Sequence, residues 1–323
     1  MCAMERAPIM DKNELAPVDV LRTALAQGDT MLGGIEPILR QLLSVPDHSL
    51  FSDEIVARVR GMLADLARQV LSTQAEATGK KGRESFAERH GEALAEHFQT
   101  CKPLLSHCHA LAVEWQLTER MEAETGLDPV LSPLMQQLIA DSDATVSGVA
   151  MAALAAQARF TQGQRRMGLL LGELPGDLVH DLLFVWRNYC GESRSDSIDR
   201  AEAKLRQSID ESGSRLALFE RLLVRANRET ALSLEDAGTA LFFSALTKYS
   251  GQTREIAVLS SHACQTVRLA VGLRSAGVEP RHIDETLMRL HPAAAPLAGL
   301  DKIDQKTARG ILRDAAHACG RRP

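Results

Sequence analysis

Apolar side chains recur at helical spacing throughout residues 131–190, and this stretch has the clearest pattern in the chain. Asp-Ser-Asp at 141–143 offers helix N-cap chemistry before the run VSGVAMAALAAQARF, so the pattern predicts a helix over about 144–160. Its expected inner face consists of small and apolar residues: Val149, Ala152, Ala153, Ala156 and Phe160. Since alanines let a neighbouring helix approach closely, we expect helices stacked side by side.

The same spacing continues on both sides of this stretch. It predicts two short helices separated by Gly28 and Asp29, a longer helix with its apolar stripe over 55–71, and one continuous helix over 252–275. Further helices are expected at about 86–100, 103–124, 281–290 and 304–319, with short connections. We therefore predict an all-α fold of stacked helical hairpins, either a HEAT-like α-solenoid or an irregular helical array.

The helical pattern divides the chain into three expected parts. Residues 1–14 are polar and lack a helix cap, so we expect them to be disordered. Residues 15–128 are predicted to form an N-terminal helical region, and residues 129–323 a HEAT-like helical-repeat region. Two helix pairs in the second region share the order of a capped helix, a glycine turn and a proline-opened helix, although few of their residues are identical.

Charge and cysteine usage narrow the class of protein. The 323 residues carry a formal net charge of -5, so no overall basic field attracts nucleic acid or a membrane surface. No apolar run reaches the ~18 residues of a transmembrane helix, and the first residues lack the pattern of a signal peptide. The six cysteines form no Cys-x-x-Cys pair, which favours free thiols. We expect a cytoplasmic protein that does not bind membranes.

Local motifs for catalysis or metal binding are weak. His90, His97, Cys101 and Cys108 have spacings that would place them on one side of a continuous helix, as metal ligands can be, but Pro103 interrupts that helix. The chain has no Gly-x-Ser-x-Gly nucleophile motif and no correctly spaced P-loop. We therefore predict no catalytic residue, no cofactor and no metal site. The alternative is an active site assembled from distant residues.

A basic and amide-rich cluster follows the helix predicted over 144–160, and we name it the basic corner. It consists of Arg159, Gln162, Gln164, Arg165 and Arg166. Arginines near a helix terminus can bind carboxylate or phosphate groups. We predict that the basic corner contacts a protein partner, and the simpler alternative is that these side chains solvate a turn.

The segment 253–274 resembles the helix-turn-helix of bacterial regulators and sigma-factor DNA-binding regions. The resemblance is carried by Arg-Glu-Ile-Ala at 254–257, Leu259, Thr-Val-Arg at 266–268 and Leu-Arg at 273–274. It implies that Gln265, Thr266 and Arg268 face DNA. Ser261 stands where the family has its turn glycine, and an unbroken apolar stripe favours one continuous helix instead.

A second resemblance concerns the fold. LIADSDATVSGVA at 138–150 resembles a HEAT-type hairpin, with an apolar helix end, an acidic turn and a second helix that begins with a spaced valine. Together with RLAVGLRSAGV at 268–278 and His-Pro at 291–292, it makes the chain similar to a bacterial family of helical proteins that carry a domain of unknown function, DUF2336. Ser147 replaces the arginine with which HEAT hairpins usually contact the next repeat. The resemblance implies a fold rather than a reaction.

Stacked hairpins form extended grooves in which a partner helix can lay an apolar stripe. We therefore predict a noncatalytic protein–protein interaction or scaffold module of the bacterial cytoplasm, with an unidentified protein partner. Two alternatives stay open. One is a DNA-binding regulator that uses residues 253–274, and the other is an enzyme whose site is assembled across helical hairpins.

Overall fold

The computed structural model describes residues 17–44, 52–77, 79, 82–191, 196–292 and 297–318. Within these residues it contains fifteen α-helices and no β-strand, which confirms the predicted all-α fold as an array of helices. The disorder predicted for residues 1–14 lies outside the described residues. None of the helices described is both long and apolar enough to cross a membrane.

Most of the predicted helices are present, and their bounds are as follows. The helices are α1 Pro17–Ser44, α2 Asp53–Ala77, α3 Arg83–Phe98, α4 Lys102–Thr125, α5 Pro133–Ile139, α6 Ala144–Arg165, α7 Gly176–Cys190, α8 Asp196–Ser208, α9 Arg215–Leu222, α10 Arg228–Ala231, α11 Leu234–Ser250, α12 Arg254–Leu259, α13 Thr266–Ser275, α14 Pro280–Leu290 and α15 Gln305–Ala318. A short 3₁₀ turn, Ala263–Gln265, lies between α12 and α13.

Buried apolar side chains form two hydrophobic cores that share helix α4. The first core lies mainly between α2, α3, α7 and α8 and contains Phe98 and Trp186. The second lies mainly between α5, α6 and the helices from α9 to α15 and contains Phe242. Helix α4 contributes Leu105 to the first core and Met121 to the second. Because both cores bury side chains of α4, this helix fixes their relative position.

Helix α1 is continuous, so the predicted break at Gly28 and Asp29 is wrong. Gly28 serves packing rather than a turn: its carbonyl accepts a 2.9 Å hydrogen bond from Gln265 Nε2, and a Cβ atom there would overlap the Gln265 amide. Asp29 is buried and forms an ion pair with Arg268. Gly28 and Asp29, which are typical turn residues, therefore form contacts between distant parts of the chain.

Helix α6 is longer than predicted and is rotated relative to the predicted inner face. It extends to Arg165, and the Asp143 side chain caps its first turn by accepting a 2.9 Å hydrogen bond from Thr145 N. Ala152, predicted to face inward, is exposed, and Val149 is only half-buried. The buried apolar residues are Val146, Ala150, Ala153, Ala156 and Phe160. The face shifts because α5 and α9 pack against the adjoining side of the helix.

The continuous helix predicted over 252–275 is also wrong. Helix α12 ends at Leu259 because two serine hydroxyls bond back to the carbonyls of its last turn, Ser260 Oγ to Ala257 O at 2.6 Å and Ser261 Oγ to Val258 O at 2.7 Å. The His262 side chain then caps the 3₁₀ turn that leads into α13. An apolar period alone does not reveal this break, since it continues across the turn.

The turn after α6 packs tightly against α2. Met167 has a φ of 56°, in the left-handed region that side chains other than glycine rarely adopt, and Gly168 N donates a 2.9 Å hydrogen bond to Gly163 O. The Met167 backbone lies over Gly61 of α2, where a Cβ atom would stand 2.5 Å from Met167 O. Glycine at position 61 therefore permits the contact.

We expect Gly61→Ala to destabilise the protein by roughly 1–3 kcal/mol, because the new methyl group would overlap a backbone carbonyl that cannot move independently. Gly148→Ala is the matched control, since Gly148 is also inside a helix but has no atom within 4 Å of an ideal Cβ. In urea unfolding, the control should be unchanged or more stable by up to ~1 kcal/mol. Equal stability of the two variants would contradict the packing described for the turn.

Candidate functional site

The structure divides the basic corner into exposed and buried members. Arg159, Gln162, Arg165 and Arg166 are exposed at the end of α6 and in the following turn. Gln164 is buried: its Nε2 donates a 3.2 Å hydrogen bond to Gly168 O, and its backbone carbonyl accepts a 2.5 Å hydrogen bond from Arg58 Nη1. Gln164 thus stabilises the turn after α6. For the other four residues, contact with a protein partner stays a prediction.

Two of the three residues expected to face DNA are buried, and the third is only partly exposed. Helices α12 and α13 are joined by a turn, as in a helix-turn-helix, but α13 packs against α1, α11, α14 and α15, and none of its residues is exposed. Gln265 and Arg268 are buried and bonded to α1, and Thr266 is only half-exposed. Reading base edges requires a helix face that can enter a groove, so this geometry disfavours DNA recognition by α13.

The histidine and cysteine residues weighed as metal ligands contact other groups. His97 Nδ1 lies 2.8 Å from Ala93 O and its ring packs on Tyr189, while the His90 ring packs on Phe86. Burial raises the pKa of Cys108 to about 12. The cysteines of the described ranges are free thiols, and no group of three or more His, Cys, Asp or Glu side chains there is arranged to hold a metal ion.

A cleft of about 700 Å³ lies where α1, α4, α7, α12, α13 and α15 meet, and we name it the central cleft. Its walls are largely apolar and include Leu32, Ile35, Leu105, Leu178, Ile256 and Leu312. A cavity of this volume is within the range of known ligand sites, ~300–1,000 Å³. The lining comes from both ends of the chain, and for this reason no local motif predicts it.

An ion pair and a hydrogen bond hold charged residues that line the central cleft. Asp29 Oδ1 pairs with Arg268 Nη2, and the side chains of both residues are only 3% exposed. Arg268 Nη1 also donates a 3.2 Å hydrogen bond to Gln252 Oε1. Glu255 Oε1 lies 3.1 Å from Nδ1 of the buried His107. The most buried charges of the lining are therefore neutralised within the protein.

His107 keeps Glu255 ionised. Burial alone would raise the pKa of Glu255, but the hydrogen bond and charge of His107 lower this pKa to about 2. Acid–base catalysis is most effective when the pKa of the catalytic group lies near the working pH. Glu255 is thus a fixed negative charge suited to recognition, and a poor proton donor or acceptor at neutral pH.

A buried ionic network holds the start of α12, and with it Glu255, in place. Glu114 of α4 is 1% exposed and accepts hydrogen bonds from Arg215 Nη1 at 2.6 Å and from Arg254 Nη2 at 2.8 Å. Burial would raise the pKa of Glu114, but the two guanidinium groups hold it below its ordinary value. The Arg215 guanidinium also lies 3.6 Å from the centre of the Phe160 ring. The network joins α4, α9 and α12.

Local sequence patterns do not reveal this network, although one signal is present. Glu114 occupies a position of the buried stripe of α4, at helical spacing from Ala110, Leu117 and Met121. A carboxylate on an apolar stripe requires a buried partner. The two arginines, however, lie 101 and 140 residues further along the chain, so no local pattern identifies them.

Histidines gather near the turn between α12 and α13. His262 caps the 3₁₀ turn, and His291 Nε2 lies 2.8 Å from Ser261 O. His109 of α4 is buried, and this burial, together with the nearby charge of His262, lowers the pKa of His109 to about 4. His109 is therefore neutral in the folded protein at pH 7.

Comparisons with known proteins assign this chain to no family. No protein-family model matches the chain, and no curated protein or solved structure gives a significant match. The resemblance to the DUF2336 family thus stays a prediction, and function must be inferred from the site.

We expect Glu114→Gln to destabilise the protein by about 3–5 kcal/mol, because it leaves two buried guanidinium groups without their counter-charge. Glu285→Gln is the matched control, since Glu285 forms a 3.0 Å ion pair with Arg281 on the exposed surface of α14. The control should change the free energy of unfolding by less than ~0.5 kcal/mol in chemical denaturation. Similar values for the two variants would show that the network contributes little.

We expect acid to destabilise the protein through His109. Unfolding returns its pKa from about 4 to 6.5, so below pH 6.5 the unfolded chain binds a proton that the folded protein does not. The free energy of unfolding should therefore fall between pH 6.5 and 4, by about 3 kcal/mol in total.

The test compares thermal and chemical unfolding of wild type, His109→Gln and the exposed-site control His180→Gln across this pH range. Carboxylates titrate in all three proteins, so the difference between variants isolates the histidine. Above pH 5, the free energy of unfolding should depend much less on pH in His109→Gln than in wild type. The control should keep the pH dependence of wild type. A slope that is unchanged in His109→Gln would contradict a neutral, buried His109.

Proposed function

We propose that this protein is a noncatalytic binding module whose central cleft accepts a segment of another protein. The observation that carries the proposal is the combination of apolar cleft walls with internally paired charges at Asp29–Arg268 and His107–Glu255. An amphipathic helix can bury its apolar side in such a cleft while its polar flanks contact the charged rim.

The paired charges favour binding over catalysis. An active site needs an ionisable group or nucleophile free to act on a reacting atom, with its pKa adjusted to the task. In the cleft, Asp29 is held by a guanidinium group and Glu255 is kept ionised by an imidazole. Both arrangements preserve charge and position rather than move a proton.

The exposed arginines of the basic corner extend the proposal to a second contact. Of the exposed arginines of the basic corner, Arg166 lines a separate groove between α2 and α3, together with Arg40, Arg68 and Met167. Glu88, Glu92 and Glu96 line the same groove, so we infer that a segment of the same partner with both acidic and basic residues contacts it. The proposed binding surface then extends over helices of both cores, and the apolar side of the bound segment lies in the cleft.

The test uses phage-displayed random peptides of about 15 residues, long enough for ~4 helical turns, selected on the full chain. Gly33→Trp blocks the cleft: Gly33 is an exposed lining residue of α1, and no atom lies within 4 Å of an ideal Cβ there. Gly148→Trp is the matched control, because Gly148 is an exposed helical glycine with the same free space but lies outside the cleft lining.

We expect selected peptides to bind Gly33→Trp at least about 10-fold more weakly than wild type, a difference of ~1.4 kcal/mol, in fluorescence anisotropy. Affinity for Gly148→Trp should stay within about 2-fold of wild type, since this side chain cannot contact a peptide in the cleft. Peptides that bind both tryptophan variants equally, or a selection that yields no binder, would contradict the proposal.

A further inference from the structure

We propose that Arg309 and Arg313 form a carboxylate-binding site on the exposed side of the central cleft, and that an Asp or Glu side chain of the bound segment occupies it. This inference rests on the proposed function and adds the chemistry of the partner. It follows from the accessibility of the two guanidinium groups, from their lack of an acidic partner, and from the contacts of the other charges in the cleft.

The two arginines can be reached by a bound segment. They lie four residues apart on one face of α15, both line the central cleft, and both are exposed. Leu312, the residue before Arg313, is buried and also lines the cleft. A segment that packs an apolar side chain in the cleft therefore lies close enough to place a neighbouring side chain on the guanidinium groups.

Among the described residues, neither arginine forms an ion pair. Arg309 Nε donates a 3.1 Å hydrogen bond to Ser275 O, which orients the side chain but supplies no counter-charge. The carboxylate next in the sequence, Asp314, pairs with Arg22 of α1 instead. Like charges four residues apart on a helix repel each other, and a carboxylate that accepts hydrogen bonds from both guanidinium groups offsets this repulsion.

The acidic residues of the lining have other contacts. Three of the four contact a basic or imidazole side chain of the protein: Asp29 with Arg268, Glu36 with Lys102, and Glu255 with His107. The fourth, Asp177, lies in the first turn of α7, where the helix dipole favours a negative charge. The charge of the lining that lacks compensation is therefore positive and lies on α15, which favours an anionic group of the partner at this position.

The first experiment uses selected peptides whose binding is weakened by Gly33→Trp, with amidated C-termini so that only side chains supply carboxylates. Each Asp is replaced by Asn, or each Glu by Gln, one at a time, which removes the charge but keeps the shape. At one position we expect at least about 10-fold weaker binding to wild type in fluorescence anisotropy. Peptides that bind the cleft and tolerate every such replacement would overturn the carboxylate site while leaving the proposed function intact.

The second experiment assigns the peptide carboxylate to the two arginines. In the double variant Arg309→Gln, Arg313→Gln, the discrimination between the peptide and its uncharged analogue should fall at least about 3-fold, because the groups that distinguish them are absent. The matched control, Lys302→Gln with Lys306→Gln, removes the same charge from exposed residues outside the cleft lining and should keep the discrimination of wild type.

Arg313→Gln alone is measured by the same criterion if loss of the bond between Arg309 and Ser275 prevents the double variant from folding. A smaller fall in whichever arginine variant is measured, or an equal fall in the lysine control, would overturn the assignment.

A small probe separates failure of the carboxylate site from failure of the proposed function. If no peptide binds the cleft, sodium hexanoate and 1-hexanol are compared by NMR on the full chain. Binding of hexanoate at least about 5-fold tighter than the alcohol, with this preference lost in the arginine variant and kept in the lysine control, would support the site. Equal or absent binding of the two probes would overturn it.

Discussion

The structure depends on a buried carboxylate, that of Glu114, which lies between the guanidinium groups of Arg215 and Arg254. A charge removed from water is tolerated only when counter-charges and hydrogen bonds surround it. The helices that supply the two arginines, α9 and α12, must therefore occupy fixed positions around α4. Because α4 also contributes side chains to both hydrophobic cores, the constraint at Glu114 extends to the whole array.

The same network positions the central cleft. Arg254 is the first residue of α12, and Thr253 caps this helix by accepting a hydrogen bond from Ile256 N. Once the side chain of Arg254 is fixed on Glu114, the next residue, Glu255, is placed against His107. A charged group on the cleft wall thus takes its position from an ion pair buried behind it.

Local patterns predicted the fold class because helical periodicity is a property of adjacent residues. Local patterns are misleading where a residue is required by a contact with a distant part of the chain rather than by its own turn or helix. Gly28 resembles a turn glycine, but it is small so that Gln265 can pack against α1. Periodicity does not reveal the break after Leu259, because serine hydroxyls rather than a glycine mark the end of the helix. Local patterns do not predict the cleft, since its lining comes from stretches that are distant in the sequence, at 29–39, 103–106, 175–178, 250–268 and 309–316.

The contacts made by the charged residues of the cleft also bear on the energetics of the proposed binding. A partner that covers the cleft removes water from Glu255, and a carboxylate without a polar partner would then resist binding. Arg268 already supplies a counter-charge to Asp29, and His107 already forms a hydrogen bond with Glu255, so much of the desolvation of these carboxylates occurs during folding rather than binding. The pair α12 and α13, which resembles a helix-turn-helix, directs polar residues inward, and Glu255 and Arg268 of this pair line the central cleft.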